Sequence, residues 1–290
     1  MKPWLVLVIV VLILLLAGVV ISHDAQTNAL VESAQPFPVN PDGARTPVIV
    51  ELFTSEGCSS CPPADEVLAR LERTQPVAGA EIIALGEHVD YWNYIGWADP
   101  FSAPVFSQRQ NDYTNAFGAF SVYTPQMVVD GQTEFVGSKM SKALDAIAKA
   151  ARAPKAKVQL TATPENDADM FSVQARIADI PTIKAGETVE VVLAVTESEL
   201  QSNVSRGENA GRRLNHSTVV RQLKVVNSGE VTPGATLSAK STVTIDRGWR
   251  RDHLHAVVFI QERKSRKVIG AATLKLWNSR KVVRQWGVYL

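Results

Sequence analysis

The feature that most restricts this chain is the placement of its only two cysteines, Cys58 and Cys61. They stand between Val48 to Thr54, a β-branched apolar run suited to a buried strand, and Ala64 to Thr74, where Val67, Leu68 and Leu71 recur at helical spacing. The pattern predicts strand, turn, helix, with both thiols in the turn. A thiolate at a helix N-terminus gains from the positive end of the dipole and from unpaired backbone N–H groups. Cys58 is expected where the helix begins, and Cys61 one turn further in. Pro62 and Pro63 fit a first turn, and Asp65 and Glu66 complement the dipole.

Three chemistries fit such a pair: dithiol–disulfide exchange, a structural disulfide, or a metal clip. A staple across so short a loop constrains the unfolded chain little, which counts against the structural reading. The metal reading recruits His88, whose imidazole with two thiolates suits copper(I) or zinc. Alternatively His88 tunes the Cys58 thiolate, or is an ordinary loop histidine. No Ser-His-Asp order, glycine-rich phosphate loop, His-Glu-x-x-His or paired catalytic carboxylates is found.

Pro3 to Ile21 is an unbroken apolar run led by Lys2, long enough to span a bilayer. Its length and the lack of a small-x-small cleavage site favour an uncleaved signal anchor over a cleaved signal peptide. Positive charge at the short N-terminal end predicts export of everything after it. The expected location is the cell inner membrane on its periplasmic side, or the periplasm if the segment is removed. Compartment alone does not decide between exchange and staple, because disulfides persist there in either case. A formal charge of +1 over 290 residues gives no basic face for nucleic acid.

The chain reads as an anchor or signal peptide over residues 1–23, a linker over 24–46, and two domains, 47–153 and 154–290. The first carries a βαβαββα order, with strands at Val48 to Thr54, Glu81 to Leu85, Gln126 to Val129 and Glu134 to Val136, the last two joined by an Asp130-Gly131 turn. After Pro154 seven alternating segments suggest an antiparallel sandwich. Between them Arg206, Arg212, Arg213, His216 and Arg221 form a basic cluster around Asn209 and Asn215. It reads as a solvated loop hydrogen-bonded to the first domain, or as a site for an acidic ligand or partner.

The Cys-x-x-Cys turn, together with Tyr123-Thr-Pro-Gln-Met-Val-Val-Asp-Gly131 before a hairpin, resembles the thioredoxin fold, in which a cis-proline loop faces the cysteines. That resemblance maps the proline onto Pro125 and implies that Thr124 offers its backbone to an extended substrate. The buried acid of thioredoxins would fall on Leu52, with Glu51 one position off and thus on the opposite face of the strand. More closely, Val50 to Asp65, the aromatic loop His88 to Trp97, Tyr123 to Gly131, and Gly207 to His216 with Val219 to Arg221 are similar to a bacterial exported family, domain of unknown function 1223. Together with the alternating segments after Pro154, the thioredoxin resemblance gives the expected fold class, an α/β thioredoxin-like domain followed by an all-β, immunoglobulin-like sandwich. The family itself implies a fold and not a reaction; the cysteine pair and the proline expected to face it are read as a thiol–disulfide oxidoreductase with Cys58 as nucleophile, Cys61 as resolving thiol, protein thiols or disulfides as substrates, and no organic cofactor. A copper or zinc module using both cysteines and His88, or a non-catalytic interaction protein, is the alternative. The rings of Tyr91, Trp92, Tyr94 and Trp97 read as loop packing or as a rim that grips polypeptide.

Overall fold

In the computed structural model, residues 45–277 are described except 166 and 168. The apolar run read as a membrane anchor, and nearly all of the linker, lie outside them. Among the described residues no helix is long and apolar enough to cross a membrane.

Most helices and strands occur where periodicity places them; the strands Leu200–Asn203 and Arg213–His216 are the exceptions. The first half runs β1 (Thr46–Thr54), α1 (Pro62–Thr74), β2 (Ala80–His88), α2 (Pro104–Phe117), β3 (Gln126–Val129), β4 (Thr133–Val136) and α3 (Met140–Ala150). The second is strand apart from one 3-10 turn at Arg251–His253: β5 (Lys157–Pro164), β6 (Met170–Ala178), β7 (Val189–Glu197), β8 (Leu200–Asn203), β9 (Arg213–His216), β10 (Val219–Gly229), β11 (Leu237–Thr244), β12 (Leu254–Glu262) and β13 (Val268–Lys275). The β3–β4 turn has positive φ at both Asp130 and Gly131, as a two-residue hairpin of this sequence requires.

The expected fold class is corrected by the way these elements assemble. A thioredoxin-like domain followed by a separate immunoglobulin-like sandwich needs a first sheet independent of the two sheets of the sandwich, and a core for each domain. Instead the molecule is mostly β, and one mixed sheet of eight strands, ordered β13-β12-β7-β10-β2-β1-β3-β4, draws from both halves of the chain. The junction is a parallel pairing of β10 with β2 at Val219 and Gly86. The strands approach closely at Gly86: a Cβ there would stand 3.4 Å from the Ser217 carbonyl oxygen and 3.5 Å from that of Thr218, in ordinary contact with both.

Side-chain alternation then distributes the core. On one face Val48, Val50 and Leu52 of β1 pack with Ala64, Leu68 and Leu71 of α1 and Ile147 of α3. On the other, Ile49, Ile83 and Leu85 pack with Phe106 of α2 and with Val192, Val257 and Phe259 from β7 and β12. That second cluster belongs to neither half alone. The three-stranded sheet β11-β6-β5 closes a further core against β7 and β12, and β8 pairs with β9 as a short hairpin.

Candidate functional site around the cysteine turn

β1 is fully buried along Val48–Thr54 and delivers the chain at its C-terminal end into Ser55-Glu-Gly-Cys-Ser-Ser-Cys61. Cys58 N–H donates to the Ser55 carbonyl at 3.2 Å and Cys61 N–H to the Cys58 carbonyl at 3.2 Å, so two tight turns follow one another. They bring the cysteine Cα atoms to 5.4 Å, within the range a disulfide spans, and the two sulfurs are bonded. Helix α1 starts later than expected: Cys61 is its N-cap and Pro62 its first residue, while Cys58 precedes the helix. The pair is buried, at 1% exposure for Cys58 and 0% for Cys61, whereas Ser59 and Ser60 between them are exposed. The Cys58 sulfur lies 3.3 Å from Ser60 Oγ.

Titratable groups crowd beneath this turn. Buried Glu56 accepts hydrogen bonds from Trp97 Nε1 at 2.7 Å and from His216 Nε2 at 2.9 Å. Its backbone N–H donates to Asp99 Oδ2 at 2.8 Å, and the same oxygen accepts His88 Nδ1–H at 2.7 Å. The rings of His88 and His216 are 4.9 Å apart, and Phe101 stands edge-on to both. Burial alone would lift Asp99, but His88 and the backbone N–H groups of Glu56 and Phe101 outweigh it and hold the carboxyl below its ordinary range. Burial pulls His88 down, yet Asp99, with smaller pulls from Asp65 and Glu56, more than reverses this, and the imidazole stays protonated to higher pH than usual. Asp65, partly buried on the first turn of α1, accepts from Thr54 Oγ1 at 2.9 Å. Desolvation pushes its carboxyl up against the opposing pull of His216 and His88.

His88 therefore lies near the turn, as expected, with Nδ1 committed to Asp99. Among the described residues no group of three or more His, Cys, Asp or Glu side chains is arranged to hold a metal. The Thr124–Pro125 peptide is cis. Thr124 Oγ1 accepts Trp92 Nε1–H at 2.8 Å, and Trp92 in turn lies against Gly57, where a Cβ would meet Trp92 Cβ at 3.3 Å. Buried Pro125 accepts Gly137 N–H at 3.0 Å, and a Cβ on Gly137 would come within 3.0 Å of Ala64 in the first turn of α1. Trp92 thus links Thr124 to the cysteine turn, and Gly137 links Pro125 to the helix that follows it. Asp90 serves as a turn residue: its backbone N–H donates to Ser107 Oγ, which donates back to its carboxylate. Tyr91 bonds Gln110, while Tyr94 is exposed.

Glu51 points away from this cluster. The β1–β2 register runs without a bulge, so Glu51 faces α2, where it bonds Arg109 Nε and the Tyr113 hydroxyl in a buried network that includes Glu87 and Gln261. Sequence reading placed Asn209 only within a loop expected to hydrogen-bond to the first domain, and did not single out Glu208. Asn209, 0% exposed, donates Nδ2–H to the Glu56 carbonyl at 2.8 Å and to the Cys58 carbonyl at 3.0 Å. Glu208 accepts Ser59 N–H at 3.0 Å, and the Ser59 side chain, together with this backbone bond, holds its carboxyl below the ordinary range. The available signal was the asparagine itself, set between Gly207 and Gly211, both of which adopt positive φ. A separate cleft of about 530 Å³, lined by Glu81, Ile82, Thr196, Thr218 and His255 among others, includes neither cysteine.

A family model described as a protein of unknown function, DUF1223, matches residues 49–261, which run from β1 through β12. The chain belongs to the DUF1223 family. No curated protein matches it. Among solved structures it is similar to a structural-genomics protein from Agrobacterium tumefaciens, at 24% identity and a TM-score of 0.60, covering 82% of this chain and 97% of that one. It is also similar to HBP35 of Porphyromonas gingivalis, at 16% identity and a TM-score of 0.60, covering 85% of this chain and 80% of that one. At these identities the likeness is one of fold. The DUF1223 match includes both cysteines, Pro125 and Asn209, so the two halves of the site fall within one family unit.

Proposed function

We propose that this DUF1223 protein exchanges disulfides with exported protein clients through Cys58 and Cys61. The observation that carries the reading is a bonded pair, the only two cysteines of the chain, held at the start of a helix beneath exposed Ser59 and Ser60 and above a nest of imidazoles and carboxylates. A pair kept only as a staple needs no such surroundings, and perturbed acids and bases beside a reactive group are what proton-coupled chemistry uses.

In the reduced form, Cys58 thiolate attacks one sulfur of a client disulfide. A Cys58–client bond forms, the client S–S bond breaks, and the other client sulfur leaves as thiolate. Cys61 thiolate then attacks Cys58 Sγ, restoring the internal disulfide and releasing the second client thiolate. Two electrons pass to the client; the reverse sequence oxidises a client dithiol. Thr124 and Pro125 flank the client chain, and the apolar N-terminal run fixes the protein to the periplasmic side of the inner membrane.

The test is equilibration of the full-length protein with defined glutathione buffers, together with Cys61→Ser to trap mixed disulfides. A reversible transition between roughly −120 and −270 mV is expected, with trapped client adducts. A bond that survives below about −300 mV and a folded Cys61→Ser variant that captures nothing overturn the proposal.

A further inference from the structure

The hairpin β8–β9 begins at Leu200, far beyond the cysteines in sequence, yet the loop that closes it finishes the cysteine turn. Both Nδ2 hydrogens of Asn209 are used there, one on the Glu56 carbonyl and one on the Cys58 carbonyl, the two groups that straddle Gly57. Arg212 Nη1 donates to Asn209 Oδ1 at 2.8 Å, which fixes the orientation of the amide: its acceptor faces Arg212 and its donors face the turn. One residue earlier, Glu208 takes the Ser59 N–H. With Glu56 N–H on Asp99, Gly57 N–H on Ser55 Oγ, and Cys58 and Cys61 N–H in the two tight turns, the backbone around Cys58 is held from both sides. Gly207 allows the close approach, since a Cβ there would meet Trp97 Cβ at 3.3 Å and the Ile95 carbonyl at 3.5 Å.

From this geometry we propose that Asn209 is a positioning residue that favours the Cys58–Cys61 disulfide over the dithiol. The proposal rests on the exchange reading above and specifies what sets the poise of that exchange. A disulfide closes when two thiols are presented at bridging separation, and fixing their backbone in advance raises their effective concentration toward each other. Asn209 fixes the Cys58 carbonyl, which is also the acceptor for Cys61 N–H, so one amide governs both ends of the second turn. Releasing it leaves the dithiol freer and the disulfide no better. The equilibrium with glutathione, in which the disulfide and two glutathiones give the dithiol and one glutathione disulfide, then moves toward the dithiol.

The experiment compares full-length wild type with Asn209→Ala and Asn209→Asp, the second preserving volume while removing the N–H donors. Each is expected to weaken the disulfide about tenfold against glutathione, a potential about 30 mV less negative. Arg212→Ala, which removes only the exposed arginine that orients the amide, shifts it the same way by less and serves if the Asn209 variants do not fold. In parallel, melting temperatures are taken with and without a phosphine reductant. Asn209→Ala should lower the melting temperature more in the oxidised protein than in the reduced one. Equal losses in both states, with an unchanged potential, overturn the proposal and leave Asn209 as ordinary packing. If wild type fails to equilibrate with glutathione at all, the exchange reading falls, and the paired melting temperatures still decide the role of Asn209.

Discussion

At Asp65 the helix dipole and desolvation act in opposite directions. A carboxylate in a first turn is normally favoured, but here burial prevails and the carboxyl holds its proton to higher pH than usual. A group raised on folding contributes stability below its unfolded value, and that contribution disappears as pH rises through the folded one. Asp65→Asn should therefore stabilise the protein at pH 7 and match wild type near pH 3, measured by thermal unfolding. The His88–Asp99 pair behaves differently. His88 is raised and Asp99 lowered, so their joint contribution is full between the ordinary aspartate value, about 3.9, and about pH 6.5; it is lost as pH falls through the lowered Asp99 value or climbs through the raised His88 value. The cost of His88→Gln should be largest near pH 5 to 6 and shrink above pH 7; a pH-independent cost would contradict the assignment. Reading the sequence singled out Cys58, Cys61 and His88 by residue type and spacing, and Pro125 through the resemblance to the thioredoxin fold. It did not find that both sulfurs are buried, because what covers a turn depends on residues distant in sequence.

At the scale of single elements, β1 carries two unlike faces. Leu52 looks toward α1 and Glu51 toward Arg109, and the alternation of a strand made that separation legible before any coordinates. The buried Arg109 faces two carboxylates, and removing it as Arg109→Met leaves Glu51 without its counter-charge. A loss of about 3–5 kcal/mol by urea denaturation is expected. Gly137 is a second sensitive point, since a Cβ would stand 2.6 Å from Leu52 Cδ1 and 3.0 Å from Ala64 Cβ. Gly137→Ala should cost about 1–3 kcal/mol through overpacking and disturb the first turn of α1. The hairpin β8–β9 escaped sequence analysis for a clear reason. Leu200-Gln-Ser-Asn203 and Arg213-Leu-Asn-His216 are four-residue strands of mostly polar character, too short and too wet to show a period.

Over the whole molecule, the decisive contact is the narrow one where β10 meets β2. A single registered pair, Val219 with Gly86, leaves no mark on the periodicity of either strand, so composition and alternation alone suggested two bodies where one sheet runs through. A fragment ending near residue 153 would expose Ile49, Ile83 and Leu85, which pack on Val192, Val257 and Phe259. Such a fragment should bind a hydrophobic dye and lack near-ultraviolet circular dichroism; a cooperative thermal transition would show instead that it folds unaided. The halves meet again at Gly131, whose Cβ would fall 1.8 Å from the Arg266 carbonyl oxygen.

The clamp on the cysteine turn also has a dimension in time. Asn209 follows Cys58 by 151 residues, and a chain made at 5–20 residues per second takes roughly 8–30 s to supply it. Through that interval both thiols have been synthesised and the amide that holds their turn has not. An oxidant that reaches the nascent chain early meets a loose Cys-Ser-Ser-Cys loop, while one that arrives late meets a finished, buried pair. The order of synthesis thus gives the cysteine turn two successive settings, the first a peptide without its clamp and the second a turn completed from the far half of the chain.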